Sequence, residues 1–160
     1  MIYSLENQNL LTWLVEQETP SGIVHQANCF HTFGAGIAKQ IRDTFPETYE
    51  ADKRNSAYGD RSKLGTFTYA EAKKYPGKLI YNLYSQYTFG HGRQTLYDPM
   101  VEGLERVKNH AISKGLTKLG LPYNMGCTLG GGDWRIVRAI IDTIFKDETD
   151  LDLYICRYEP

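Results

Sequence analysis

The chain has 160 residues, of which 41% are hydrophobic and 23% charged, and a formal net charge of −1. That length suits one domain, residues 1–160, able to bury a full core without metals or disulfides, and the composition excludes a disordered chain. The near-zero charge excludes a global basic field for nucleic acid and leaves room only for a local patch.

The N-terminal stretch MIYSLENQNLLTWLVEQ lacks the positive region and long apolar run of a signal peptide. No stretch approaches the roughly 18 apolar residues of a membrane span. Gly22–Asn28, GIVHQAN, reads as a short strand ending in polar residues. Gly34–Phe45, GAGIAKQIRDTF, reads as a helix opened by glycines, with Ile37, Ala38, Ile41 and Phe45 at helical spacing. Pro46 suits the first turn of a new helix, PETYEADKRNSAY. Leu64–Ala72 and Lys78–Gln86 read as strands, with a turn at Pro76-Gly77 between them.

Asp98–Gly115 reads as a helix, with Asp98 as its cap, Pro99 in its first turn and Gly115 as its stop. Thr117–Tyr123 is expected to be a buried strand. Asp133–Phe145 is expected to be a helix with Ile136, Val137, Ile140, Ile141 and Ile144 on its inner face. Leu151–Tyr158 is the last expected strand. Alternation of this kind predicts an α/β fold, a mostly parallel sheet between helix layers, with ligands at the carboxyl ends of the strands.

Cys29, Cys127 and Cys156 are odd in number and far apart, with neither a C-x-x-C pair nor zinc spacing. They read as reduced thiols of a cytoplasmic protein, and no metal site is expected. Twelve tyrosines are many for this length; most should pack, and some should line a surface that holds a flat ring.

Two segments share one design of strand, glycine-rich loop and helix: GIVHQAN through CFHTF into GAGIAKQI, and KLGLPY through NMGCTLGGG into DWRIVRAI. A glycine-rich loop leading into a helix presents bare N–H groups and a positive dipole end, which suits phosphate. Two such loops at one sheet edge suggest a cleft holding a diphosphate from both sides. Neither G-x-G-x-x-G nor the P-loop pattern occurs.

Asn28, at the end of its strand, offers an amide to a sugar hydroxyl or to a turn of its own. His25 lies three residues earlier, nominally on the opposite face, and reads equally as a satisfied core histidine. His31, inside the loop, is a candidate for phosphate contact or proton transfer, or a plain loop residue. Asp133 is a candidate base, and also a preferred helix cap. The segment 85–97 offers Tyr87, Phe89, His91 and Arg93 as a lid over a ligand.

Taken together, HQANCFHTFGAGIAKQIRDTFP, LGTFTYAEA with KLIYNLYSQ, and LPYNMGCTLGGGDWRIVRAIID ending in YICRYEP resemble a macrodomain, the ADP-ribose-binding fold, in order and spacing from Gly22 onward. The resemblance implies a three-layer α/β/α domain with a mixed, mostly parallel sheet. It is strongest to the branch containing ADP-ribose-1''-phosphate phosphatase, terminal ADP-ribose glycohydrolase and the antitoxin macrodomain that strips ADP-ribose from DNA. By position it implies that Asn28 lies by the distal ribose. It assigns Gly34, Ala35, Gly36 and Ile37 to the first phosphate loop, and Gly126, Cys127, Thr128, Leu129 and Gly130 to the second. Tyr158 matches an aromatic near the adenine, and His25 a histidine the phosphatase is thought to use.

There are departures from the branch. Gln86 and Tyr87 stand where some relatives use a lysine, and Gly130 stands where the glycohydrolase has an aspartate, so a lysine-dependent covalent route is not expected. The usual opening, a strand followed by Gly-Asp, is missing, with Asn9 the nearest substitute. The expected function is binding of ADP-ribose and metal-independent, cofactor-free hydrolysis of a derivative, ADP-ribose-1''-phosphate first, with His25, His31 or Asp133 as catalytic groups. The alternatives are a non-catalytic ADP-ribose-binding module and a hydrolase acting on ADP-ribosylated protein or nucleic acid. A monomer with no membrane partner is expected.

Overall fold

The computed structural model describes residues Met1–Glu159. Its strands are β1 (Ile2–Leu5), β2 (Ser21–Ala27), β3 (Phe67–Glu71), β4 (Lys78–Tyr84), β5 (Lys118–Pro122) and β6 (Asp152–Cys156). Its helices are α1 (Leu10–Glu16), α2 (Gly36–Thr44), α3 (Pro46–Asn55), α4 (Tyr97–Ser113) and α5 (Trp134–Phe145), with a short 3₁₀ turn at Arg61–Lys63.

The strands form one sheet in the order β1-β6-β5-β2-β4-β3, in which only β3 runs antiparallel to its neighbour. β4, KLIYNLY, is buried at every position, as a strand covered on both faces must be. β2 pairs in parallel with β4 on one side (Val24 opposite Tyr81) and with β5 on the other (Ile23 opposite Gly120). The carboxyl ends of β2, β4 and β5 therefore meet at one edge, and the three loops that follow them emerge side by side.

Alternation along β2 divides the core. Ile23 joins Leu10, Trp13 and Leu14 of α1, Ile41 of α2, and Phe45 on one face. Val24 joins Met100, Leu104 and Val107 of α4 and Val137 and Ile141 of α5 on the other. Each aliphatic side chain so buried contributes about 1.5–3 kcal/mol of transfer free energy. The result is the three-layer α/β/α arrangement expected. No helix among the described residues is long and apolar enough to cross a membrane.

The structure adds and corrects elements. β1 and α1 lie in a stretch with no expected element; β1 extends the sheet through β6, with Tyr3 opposite Tyr154. Asn9 caps α1, its Oδ1 accepting from Leu11 N (3.0 Å) and Thr12 N (3.1 Å). Its side-chain acceptor is thereby used within the helix end rather than offered to an adenine. Ile136, expected inside, is 42% exposed, and the buried face of α5 is Val137, Ile141, Ile144 and Phe145. Asp98 falls inside the first turn of α4 rather than at its cap, which is Leu96 with no side-chain bond.

Candidate ligand-binding site

After β2 the chain makes a tight turn. Asn28 Oδ1 accepts from Phe30 N at 2.8 Å and its Nδ2 donates to Thr32 O at 3.2 Å, so the amide spans its own loop. α2 then begins at Gly36, which has φ 59°, and its N-cap, Ala35, makes no side-chain capping bond. The N–H groups of Gly36, Ile37 and Ala38 have no protein acceptor among the described residues. A helix start left open in this way suits an anion.

The loop after β5 also leaves N–H groups open. Its bonds are Met125 N to Pro122 O, Cys127 N to Asn124 O and Gly132 N to Gly126 O. They leave the N–H groups of Thr128, Leu129 and Gly130 without a protein acceptor among the described residues. Gly126 has φ 75°, a conformation that favours glycine.

The segment between β4 and α4, Ser85–Leu96, is pinned at both ends. Gln86 bridges to Thr95, Cys29 N donates to Tyr87 O (2.9 Å), and Gln94 N donates to Gly130 O (2.7 Å). Beneath it lies a knot of neutral groups. Gln26 Nε2 donates to Gln86 Oε1 and Thr95 Oγ1, both at 2.9 Å; Ser85 Oγ donates to Gln26 Oε1 at 2.7 Å; Thr95 Oγ1 donates to Gly126 O at 2.6 Å. A Cβ on Gly130 would lie 2.6 Å from Thr95 Oγ1, 2.8 Å from Gln26 Nε2 and 2.8 Å from Gly126 O. The knot therefore occupies the space that any side chain at position 130 would need.

These three loops enclose a cleft of about 840 Å³, lined by Gln26–Asn28, Thr32, Gly34–Ala38, Gln86, Phe89–Arg93, Pro122–Gly126 and Thr128–Gly131. The structure thus brings together Asn28, Gly34, Ala35, Gly36, Ile37, Gly126, Thr128, Leu129 and Gly130. Leu129, 64% exposed, leans across toward the first loop, where a Cβ on Gly36 would touch its Cδ1 at 3.2 Å. Cys127 is not among the lining residues; its Sγ donates to Met125 O at 3.5 Å, and burial pushes the thiol up to about 11. Tyr158 lies past the end of β6, half exposed and off the lining. Tyr123 lines the cleft, as Phe89 does, and its ring contacts both Trp134 (4.9 Å) and the Arg157 guanidinium (4.3 Å).

The three candidate catalytic side chains are not brought together. His25 is fully buried on the α1–α3 face, 2.6 Å by Nε2 from Asn82 Oδ1. Asn82 Nδ2 donates to Thr48 O and Thr68 Oγ1, so Oδ1 accepts and His25 carries its proton on Nε2. Its Nδ1 is buried without a partner. Burial lowers the imidazole to about 4, which keeps it neutral near pH 7. His25 and Asn28 do not meet; β2 ends at Ala27 and only Asn28 turns to the cleft.

His31, with φ 55°, directs Nδ1 to Oδ2 of the buried Asp52 at 3.0 Å, away from the lining residues. Asp52 also accepts from Tyr84 Oη, which bonds Thr68 Oγ1 at 2.8 Å. Asp133 is the N-cap of α5, with Oδ1 accepting from Arg135 N at 2.9 Å. It also pairs with the Arg135 guanidinium, whose hydrogen bond holds the carboxyl below its ordinary range.

Of the expected lid residues, Phe89, His91 and Arg93 line the cleft, whereas Tyr87 turns away, its Oη donating to Gly59 O at 2.8 Å. Sequence reasoning missed Gln26, Thr32, Tyr123 and Asn124. Gln26 had a signal: it shares a strand face with Asn28, two residues on. Thr95, fully buried in a loop, had none.

Comparison with known proteins agrees with this architecture. A 17.5 kDa protein in the tk–vs intergenic region of enterobacteria phage T4 is 33% identical over 139 residues, 86% of each chain. The ADP-ribose glycohydrolase OARD1 of Homo sapiens is 28% identical over 122 residues, 76% of this chain and 72% of its own. Among solved structures, the macrodomain of Thermus aquaticus DarG matches with a TM-score of 0.76 at 21% identity, covering 100% of this chain and 99% of that one. The family model of the macro domain matches residues 24–141, from β2 into α5. The chain belongs to the macro domain family.

Proposed function

We propose that the cleft binds ADP-ribose and that the protein hydrolyses an ADP-ribose derivative, with ADP-ribose-1''-phosphate as its substrate. One observation carries the binding half. Two sets of unbonded backbone N–H groups, Gly36–Ala38 and Thr128–Gly130, open into the same cleft. That is the donor pattern a diphosphate requires from two sides. OARD1, whose name states ADP-ribose glycohydrolase activity, supports the hydrolase half.

In the proposed reaction water attacks the terminal phosphorus and the bond to the ribosyl oxygen breaks, giving ADP-ribose and inorganic phosphate. Backbone N–H groups would stabilise charge as it develops on the phosphoryl oxygens. His91 is the one imidazole among the cleft-lining side chains and is the group we assign to proton transfer. His25, His31 and Asp133 support the cleft from outside its lining.

A second reading, a binding module without turnover, is favoured by one specific feature. The amide knot holds Gln86 where some relatives carry a lysine, and it excludes a side chain at Gly130. One experiment separates the readings. The protein is incubated with ADP-ribose-1''-phosphate, ADP-ribosylated protein and ADP-ribosylated single-stranded DNA, and phosphate and ADP-ribose release are followed, with calorimetry on ADP-ribose alongside. Phosphate release from the first substrate supports the proposal. Release of ADP-ribose from either polymer replaces the substrate, and tight binding without turnover leaves the module. No binding of ADP-ribose overturns the reading altogether.

A further inference from the structure

The Ser85–Leu96 segment crosses the cleft as a strap. Its start is held beside the Asn28 turn, by Cys29 N to Tyr87 O (2.9 Å) and by Gln86 within the knot. Its end is held on the second loop, by Gln94 N and Thr95 N to Gly130 O (2.7 and 3.1 Å). There a Cβ on Gly131 would lie 2.8 Å from Gly92 O and 3.0 Å from Arg93 Cα, so the two backbones are in close contact. The middle of the strap, Phe89–Arg93, lines the cleft between these two anchors, with Arg93 against the second loop. Gly90 and Gly92 have φ 124° and 83°, and nothing lies within 4 Å of a Cβ built on either.

The strap carries the basic side chains of the cleft. Among the lining residues the basic side chains are His91 and Arg93, and none is acidic. Neither pairs with a carboxylate among the described residues; the Arg93 guanidinium rests over the Tyr97 ring at 5.2 Å. The backbone N–H groups of the two loops already provide for a diphosphate, whereas the Asn28 end has only neutral amides and hydroxyls: Asn28, Gln26, Gln86 and Thr32. A second anion at that end finds its countercharge on the strap.

We propose, resting on the ADP-ribose reading above, that His91 and Arg93 are specificity-determining residues. They make the cleft select ADP-ribose that bears a further anionic group on its distal ribose over ADP-ribose itself. A charge-assisted contact between guanidinium and phosphate supplies the discrimination, and exposure of both side chains makes it sensitive to salt.

The test is calorimetry with two probes, ADP-ribose and its non-hydrolysable 1''-phosphonate analogue, on the wild type, R93Q and the H91Q/R93Q double variant. Circular dichroism melts check that the exposed substitutions leave the fold intact. The wild type is expected to prefer the phosphonate by about tenfold or more, with the preference shrinking as sodium chloride rises. The variants should bring the two affinities close to equality, with the phosphonate losing at least about fivefold more affinity than ADP-ribose. A wild-type ratio near one overturns the proposal. So does an equal loss for both probes, which would put the strap cations on the diphosphate or make them mere supports. Failure of the wild type to bind ADP-ribose would instead overturn the reading on which the proposal rests.

Discussion

Replacing Gly130 by alanine tests the idea that the amide knot has taken over the place of a loop side chain. The new Cβ meets three atoms inside 3.0 Å: Thr95 Oγ1 at 2.6 Å, Gln26 Nε2 at 2.8 Å and Gly126 O at 2.8 Å. Gln26 can swing its amide aside, but the Thr95 hydroxyl is short and bonded to Gly126 O, and that carbonyl is backbone. Overpacking of this kind costs about 1–3 kcal/mol. In a chain of this length that corresponds to a fall in Tm of roughly 3–10 °C. Gly130 O also accepts from Gln94 and Thr95, so a displaced second loop loosens the strap and should weaken ADP-ribose binding at least tenfold. Thermal melts by circular dichroism and calorimetry on the same preparation measure both effects. A Gly130→Ala protein that melts and binds as the wild type does would refute the packing argument.

Three further outcomes follow from the site. Gly36→Ala places a Cβ at φ 59° and against Leu129, so ADP-ribose affinity should fall by more than the modest loss of Tm implies; equal affinity would remove Gly36 from the clamp. Asp133→Ala removes the α5 cap and should lower Tm by roughly 2–4 °C, with phosphate release unchanged; abolished release would return Asp133 to the catalytic list. His25 has a folded value near 4 against 6.5 unfolded, so the unfolded chain takes up its proton first as pH falls. Stability should therefore be full above about pH 6.5 and decline by about 3 kcal/mol between there and pH 4. Denaturant titration of wild type and His25→Asn across that range should show the decline only in the wild type; the same decline in the variant assigns it to other groups.

Much of the fold and the two glycine loops that line the cleft could be read from the sequence. The glycine-opened loops at 34–37 and 126–130 follow strands that the hydrophobic pattern makes parallel neighbours, so their convergence was foreseeable. β1 was not legible, because four residues of edge strand carry no period, and its pairing with β6 is set by chain ends far apart in sequence. The seven residues of α1 were too few to show a helical period, although Asn9 marked their start. The surroundings of His25 and His31 were not legible for a different reason. His25 and Asp52 are buried polar groups whose partners, Asn82 and Tyr84, lie on β4, and no local pattern reports a cross-strand hydrogen bond. His31 is drawn toward that network by Asp52, from 21 residues away. The knot of Gln26, Gln86 and Thr95 joins three segments, so the reason for glycine at position 130 becomes visible only in the folded chain.

The central claim is that two backbone N–H sets clamp a diphosphate. A crystal structure of the protein with ADP-ribose measures this directly. The account predicts one diphosphate between α2 and the second loop, with its oxygens within hydrogen-bond distance of N–H groups of Gly36–Ala38 and Thr128–Gly130. ADP-ribose bound elsewhere, or in the cleft with its diphosphate out of reach of both sets, would contradict it.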